Sequence, residues 1–369
     1  MVLDGFFPIK QNTGRDMNSN FKSVFFRNAF SNTTTSYKLL FMQALVKKIA
    51  SFDKDDNQVL LDDVYLDMCV LAWYPLRMFN LSFGLIDKLG TYLSAAPEVI
   101  NSSDPESFRA IFIENRKFEL NKYVAHRILT PFFTDELKGV EDQKKNNLIE
   151  KLAARSFQKK ISVIYKWKDK DKDTIIIHPE WISFIQDNLV LIEAWLRDAW
   201  INFLQRKNPS VPAIPNKIQK PENRRLDSQR KFWKEILQRG AMRCIYSGVS
   251  IDPNEMSLDH YLPWSFVAHD NLWNLIPTIR QVNSSKNDSL PDMLYWDGFL
   301  KAQLNACRIA YKNKSSHKWA HDYLNDLHLS EVSELIDMKK LRPSYEKLVY
   351  PLYSLAEISG FKSGWLYKS

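Results

Sequence analysis

Hydrophobic residues recur at helical spacing through most of the first half of the chain. The clearest stripes predict helices over Tyr37–Ser51, with Ser36 as the N-cap, and over Leu61–Met78, where Pro75 favours a kink or break. Similar spacing predicts further helices over residues 83–93, 105–114, 116–129, 146–157 and 180–205. This part of the chain is therefore expected to be mostly α.

Two short β-rich runs interrupt the helical pattern near residues 161–178. Ile161–Trp167 and Thr174–His178 flank the segment Lys168–Asp173, whose charges alternate in sign and require solvent. This arrangement is typical of a β-hairpin with an exposed tip. We therefore expect residues 1–207 to form a mostly helical recognition or interaction domain with one hairpin.

A change in composition follows at Asn208. Pro209, Pro212, Pro215 and Pro221 make residues 208–225 a candidate Pro-rich, basic linker. We expect a second domain over residues 226–317 and a helical C-terminal tail over residues 318–369. Basic residues at the boundary are candidate phosphate contacts, although a solvated helix face explains them equally well: Arg224, Arg225, Arg230 and Lys231.

The bulk composition narrows the class of protein. The formal charge is +8, with 51 Lys and Arg against 43 Asp and Glu, which suits a polyanionic partner without requiring one. Cys69, Cys244 and Cys307 are far apart and odd in number, so we expect buried thiols and no disulfide framework. We see neither a secretory leader nor a run long and apolar enough to span a membrane, and we expect a cytoplasmic protein.

The segment of residues 243–292 carries the candidate chemistry. Met256–Leu258 predicts a strand that leads into Asp259 and His260, and residues 278–286 predict a helix that presents Asn283. An imidazole can accept a proton from water near neutral pH, and carboxylate and amide oxygens suit a hard cation such as Mg²⁺. A metal-assisted phosphodiester hydrolysis would use all of these groups.

The same segment resembles the HNH (ββα-metal) endonucleases, in the subtype found in the HNH domain of the CRISPR type II effector nuclease. The match begins at the turn Cys244–Gly248 and continues through a core motif and three later positions: Asp259-His260-Tyr261-Leu262-Pro263-Trp264-Ser265, then Asn274, Asn283 and Lys286. The run Thr35–Phe41 also resembles a phrase of stand-alone bacterial HNH proteins. The resemblance does not explain the rest of the chain, for which the pattern predicts a mostly α fold: a helical N-terminal domain, then the small α+β nuclease domain and a helical tail.

The resemblance also implies a role for each residue. His260 would be the general base, Asn274 the catalytic-loop brace, and Asp259 and Asn283 the ligands of Mg²⁺ or Mn²⁺. Lys286 would meet substrate phosphate. Many HNH proteins bind a structural zinc through paired cysteines, but Ser247 stands where one of them would be, so we expect no zinc.

These observations favour an endonuclease acting on DNA, as a nicking enzyme or as a dimer, with a role in anti-phage defence or restriction as a plausible setting. Two alternatives stay open: a nucleic-acid-binding protein with an inactive HNH fold, and a nuclease subunit activated by a partner or ligand. Asp259 and His260 could also be a simple strand-end pair. We expect His269 at the surface, and His317, His321 and His328 on a polar helix face.

Overall fold

The computed structural model describes residues 22–26, 30, 33–94, 123–158, 163–219, 225–313 and 317–368. The chain divides into two compact units. The first consists of Met1–Arg77 and Ser82–Lys207, and the second of Met78–Leu81 and Asn208–Ser369. The predicted helix over residues 105–114 and the predicted phosphate contact Arg224 lie outside the described residues.

The first unit is mostly helical. Its helices are α1 (Tyr37–Ala50), α2 (Leu61–Trp73), α3 (Lys88–Ser94), α4 (Val124–Ile128), α5 (Asp142–Ser156), α6 (Pro179–Asp187) and α7 (Leu189–Lys207). Ser36 is the N-cap residue of α1, as predicted, but its side chain makes no capping bond. Instead, the backbone N–H of Ser36 donates to Oδ2 of Asp87 over 2.7 Å.

Two of the predicted helices are interrupted. α2 ends at Trp73, and a π-helical turn over Tyr74–Met78 accommodates Pro75, which cannot donate a backbone hydrogen bond. The stripe over residues 180–205 is divided at Asn188, whose Nδ2 donates to the Phe184 carbonyl over 2.8 Å and closes the end of α6. Pro179 is the first residue of α6, as predicted.

A three-stranded antiparallel sheet packs in the first unit. The predicted hairpin is present as β2 (Tyr165–Lys168) and β3 (Asp171–Ile177), with Trp167 opposite Ile175. A strand that the pattern did not predict, β1 (Gln58–Leu60), pairs with the other edge of β3. It escaped prediction because it has only three residues and its partner lies more than a hundred positions away.

The second unit contains a ββα element. Its helices and strands are α8 (Asp227–Arg239), β4 (Ser257–His260), α9 (Trp264–Val267), β5 (Leu275–Thr278), α10 (Arg280–Lys286), α11 (Trp296–Asn313), α12 (His321–Leu327) and α13 (Met338–Ile358). β4 and β5 are antiparallel, with Asp259 opposite Ile276 and His260 opposite Leu275. α10 follows β5 directly, so the order is strand, strand, helix.

One hydrophobic core runs through the second unit. It joins α8 and the ββα element to the C-terminal helices, and its fully buried members include Trp233, Trp273, Tyr323 and Tyr345. The predicted tail therefore packs into the second unit. None of the described helices is long and apolar enough to cross a bilayer.

The proline-rich segment also packs against the second unit. Ile214 is fully buried and Ile218 nearly so, and a 3₁₀ turn forms over Ile214–Asn216. Nζ of the buried Lys217 donates to the carbonyls of Pro212 and Phe266, the first over 2.7 Å. Two isoleucines and a lysine therefore anchor the described residues 208–219 of the predicted linker.

Candidate active site

The carboxylate of Asp259 lies at the end of β4 and is almost completely buried, with 2% of the residue exposed. Oδ2 accepts a hydrogen bond from the hydroxyl of Tyr246 over 2.7 Å, and Oδ1 accepts one from Nζ of Lys286 over 3.1 Å. Burial, followed by the charge of Asp259, raises the pKa of Tyr246 well above its ordinary value. Tyr246 therefore stays protonated and donates.

Lys286 is fully buried at the end of α10. Besides its ion pair with Asp259, its Nζ donates to the backbone carbonyl of His260 over 2.7 Å. This placement corrects the expectation that Lys286 meets substrate phosphate, because an ammonium with no exposed surface is turned toward the strand. The spacing of the motif predicted its position but could not show which way the side chain points.

Asn283 ties the middle of α10 to the same strand. Its Nδ2 donates to Oγ of Ser257 over 2.7 Å and to the Leu258 carbonyl over 3.2 Å. A backbone carbonyl only accepts hydrogen bonds, so the amide nitrogen must face it and the amide orientation is defined. Neither bond uses Oδ1, which is the atom that an amide offers to a cation.

Asn274 braces the loop between the two strands. Its Oδ1 accepts from the backbone N–H of Leu262 over 2.9 Å, and its Nδ2 donates to the carbonyl of Leu262 over 2.9 Å. The Asn274 carbonyl also accepts from the N–H of Tyr261 over 2.8 Å. These three bonds fix the chain immediately after His260, which is the contact expected for a residue that holds the loop.

His260 faces an acidic residue that the sequence did not single out. Its Nε2 lies 2.8 Å from Oδ1 of Asp270, and the two side chains are 11% and 22% exposed. Asp270 sits in the loop between α9 and β5, ten positions after His260. The sequence marked Asp270 only as an acidic residue between His260 and Asn274.

The other histidines have different surroundings. His269 is half-buried and packs against Trp273 with ring centroids 5.2 Å apart, so its expected surface position was wrong. Burial lowers the pKa of His269 to about 4, and the ring is neutral near pH 7. His317, His321 and His328 are exposed, but only His321 lies on a helix face, because His317 precedes α12 and His328 is its left-handed C-cap.

The described candidate phosphate contacts at the start of α8 are exposed. Arg225 precedes α8, and Arg230 and Lys231 lie in its first turns. Nη1 of Arg230 donates to the carbonyl of Met256 over 3.2 Å, which places this guanidinium one residue before β4. Because these cations are exposed, a polyanion can reach them, whereas it cannot reach the buried Lys286.

The two predicted metal ligands carry the type of donor atom that a hard divalent cation prefers. Asp259 supplies a carboxylate and Asn283 an amide oxygen, and Mg²⁺ prefers oxygen ligands. Each oxygen of Asp259 already accepts one hydrogen bond but retains a second lone pair. Among the described residues, no three His, Cys, Asp or Glu side chains form a metal-binding cluster. The predicted ligands, Asp259 and Asn283, are only two residues, and one of them is an amide.

Cys244 is the first residue of the turn Cys244–Gly248, and its thiol contacts a hydroxyl group. Its Sγ lies 3.0 Å from Oγ1 of Thr278, inside the core. Cys69, Cys244 and Cys307 are all buried free thiols, as predicted.

Comparison with known proteins supports an HNH domain in this region. A family model described as HNH endonuclease matches residues 244–292, which contain both strands of the ββα element and α10. No curated protein and no solved structure matches the chain. The match covers the segment that carries Tyr246, Asp259, His260, Asp270 and Asn283.

Proposed function

We propose that this chain is a metal-dependent endonuclease that hydrolyses phosphodiester bonds in DNA. The observation that carries the proposal is the set of hydrogen bonds between α10 and β4. Through Asn283 and Lys286, this short helix is bonded to Ser257, Leu258, Asp259 and His260. The predicted base and the predicted metal ligands are thereby held on one small element within the family match.

In this proposal Asp259 and Asn283 would hold the ion through their oxygen atoms. A bound Mg²⁺ or Mn²⁺ would offset the charge that develops on the phosphate. His260 accepts the proton of the attacking water, a step worth about a hundred-fold or more in rate. Asn274 acts on the backbone that follows His260 and keeps the ring in place.

Exposed cations at the start of α8 support a nucleic-acid substrate. Arg225, Arg230 and Lys231 are exposed, and the chain carries a net charge of +8. Phosphate contacts of this kind position a substrate without reading its sequence. Because a single ββα site is expected to cut one strand, double-strand cleavage would require a dimer or a partner protein.

Incubation of supercoiled plasmid with the pure protein and Mg²⁺ tests this function. We expect nicked circles to appear, and chelation with EDTA to stop the reaction. Asn283→Ala should abolish cleavage, whereas Asn325→Ala, on the exposed side of α12, should leave it unchanged. DNA binding without metal-dependent cleavage would instead support an inactive HNH fold.

Activity that appears only after addition of host lysate would support a subunit activated by a partner. Parallel reactions with single-stranded DNA and RNA would define the substrate. A defence role makes a separate prediction, namely that expression of the protein lowers phage plaque counts and that His260→Ala does not.

A further inference from the structure

The carboxylate of Asp270 is a polar group beside the site that the proposed chemistry leaves unused. Its Oδ1 lies 2.8 Å from Nε2 of His260, and both side chains are largely buried. An ionised carboxylate can only accept hydrogen bonds, so the hydrogen between them belongs to Nε2. In a neutral imidazole the other nitrogen, Nδ1, then carries the free lone pair.

We propose that Asp270 is a positioning residue that fixes His260 in the Nε2–H tautomer and directs Nδ1 to the attacking water. This inference rests on the proposed nuclease function, since it assigns the atom that accepts the proton. Asp270 touches neither water nor phosphate in this role. Its effect passes through the imidazole, as in other sites where a carboxylate orients a histidine.

The loop that carries Asp270 is anchored so that its carboxylate returns to His260. α9 ends at Val267, and its C-cap residue Ala268 has a left-handed φ of 56° that reverses the chain. The Ala268 N–H donates to the Trp264 carbonyl over 2.7 Å. Nε2 of Gln229 on α8 donates to the carbonyl of Asp270 over 3.0 Å.

A second anchor lies one residue further along. Nδ2 of Asn271 donates to Oδ2 of Asp326 on α12 over 2.7 Å. Side chains from two helices therefore hold the backbone around Asp270. A loop restrained on both sides can keep a carboxylate at a fixed distance from a ring, which an unrestrained loop could not.

Asp270→Asn is the most informative variant because it keeps the size of the side chain. The new amide can donate from its Nδ2 to Nε2 of His260, which would move the ring proton to Nδ1 and block the proposed base. We expect kcat to fall about ten- to a hundred-fold, the range for losing a carboxylate that orients a metal-ligating histidine. KM should change little, because the exposed cations proposed to bind phosphate are intact.

A double-mutant cycle separates positioning from a structural contribution. In the His260→Ala background, Asp270→Asn should cause no further loss of kcat, since the group through which it acts is absent. Asp288→Asn, an exposed acid in the same unit, is the matched control and should cut at the wild-type rate. An equal loss from Asp270→Asn in both backgrounds would overturn the proposal.

Nitrogen-15 NMR of the ring provides a readout that does not depend on cleavage. When the imidazole is neutral, the shifts of the two ring nitrogens distinguish its two tautomers. We expect His260 to be Nε2–H in the wild type and to lose that preference in Asp270→Asn. The Nδ1–H form in the wild type would refute the pairing, even if the protein cut nothing and the nuclease proposal had failed separately.

Discussion

Replacing Lys286 with Met would test the buried ion pair at the centre of the site. The variant keeps the length of the side chain but removes the ammonium that bonds Asp259 and the His260 carbonyl. The two side chains are 0% and 2% exposed, so the Asp259 carboxylate loses its charged partner at a buried position. Asp259 would retain only the hydroxyl of Tyr246.

The expected cost follows from that burial. Removing one partner of a buried ion pair destabilises a protein by about 3–5 kcal/mol, because the remaining charge is left uncompensated. For a unit of this size, each kcal/mol lowers Tm by about 2–4 °C, so we expect a fall of about 10 °C. Lys231→Met removes the same group at an exposed position and should change the stability by less than about 0.5 kcal/mol.

Differential scanning calorimetry of the full chain would measure these shifts. The Asp259→Asn/Lys286→Met double variant has no buried charge at this position, so its Tm should lie well above the value obtained by adding the two single shifts. A Lys286→Met protein that melts within about 2 °C of the wild type would refute the reasoning. Strict additivity in the double variant would do the same.

Three further predictions concern the rest of the second unit. Nε2 of the buried Gln303 donates to the carbonyls of Leu275 and Trp273 over 2.8 and 3.2 Å. Gln303→Leu should therefore lower the free energy of unfolding in urea by about 2 kcal/mol or more. The exposed Gln238→Leu control should not lower it. Burial lowers the pKa of Lys217 to about 7, so between about pH 7 and pH 10 the unfolded chain binds more protons than the folded one. The free energy of unfolding should therefore rise across that window. The rise should be smaller in Lys217→Met, and equal pH profiles of the two proteins would contradict the prediction. Lys231→Gln should weaken DNA binding uniformly across sequences and reduce the salt slope by about one unit, and an unchanged slope would remove Lys231 from the interface.

The sequence located the candidate site because its polar residues stand at fixed spacings on short elements. Asp259 and His260 end a strand, and Asn283 lies on the helix that follows the second strand, as the pattern predicted. Such local relations depend on strand and helix periodicity, which neighbouring residues determine.

Contacts between distant segments were beyond the same reasoning. Asp270 pairs with His260 only because a left-handed Ala268 turns the loop back, and alanine gives no sequence signal for that conformation. The buried direction of Lys286 depends on Asp259 and on the core around α10. Ser36 is the N-cap that the pattern predicted, but the bond to its N–H comes from Asp87, 51 positions away.

The C-terminal helices show the same limit on a larger scale. Residues 318–369 have the pattern of an independent helical tail, yet the hydroxyl of Tyr323 donates to Oε1 of Gln303 over 2.6 Å and that of Tyr345 donates to the Trp273 carbonyl over 3.1 Å. Periodicity identifies which face of a helix is buried. It does not identify the surface against which that face packs.

The most direct test of the account compares plasmid nicking by the wild type, His260→Ala and His321→Ala in Mg²⁺. His321 is an exposed histidine of the same unit, so its replacement controls for loss of an imidazole elsewhere. We expect His260→Ala to nick at least about a hundred-fold more slowly, while His321→Ala matches the wild type. A His260→Ala protein that nicks within a few-fold of the wild-type rate would contradict the assignment of His260 as the base.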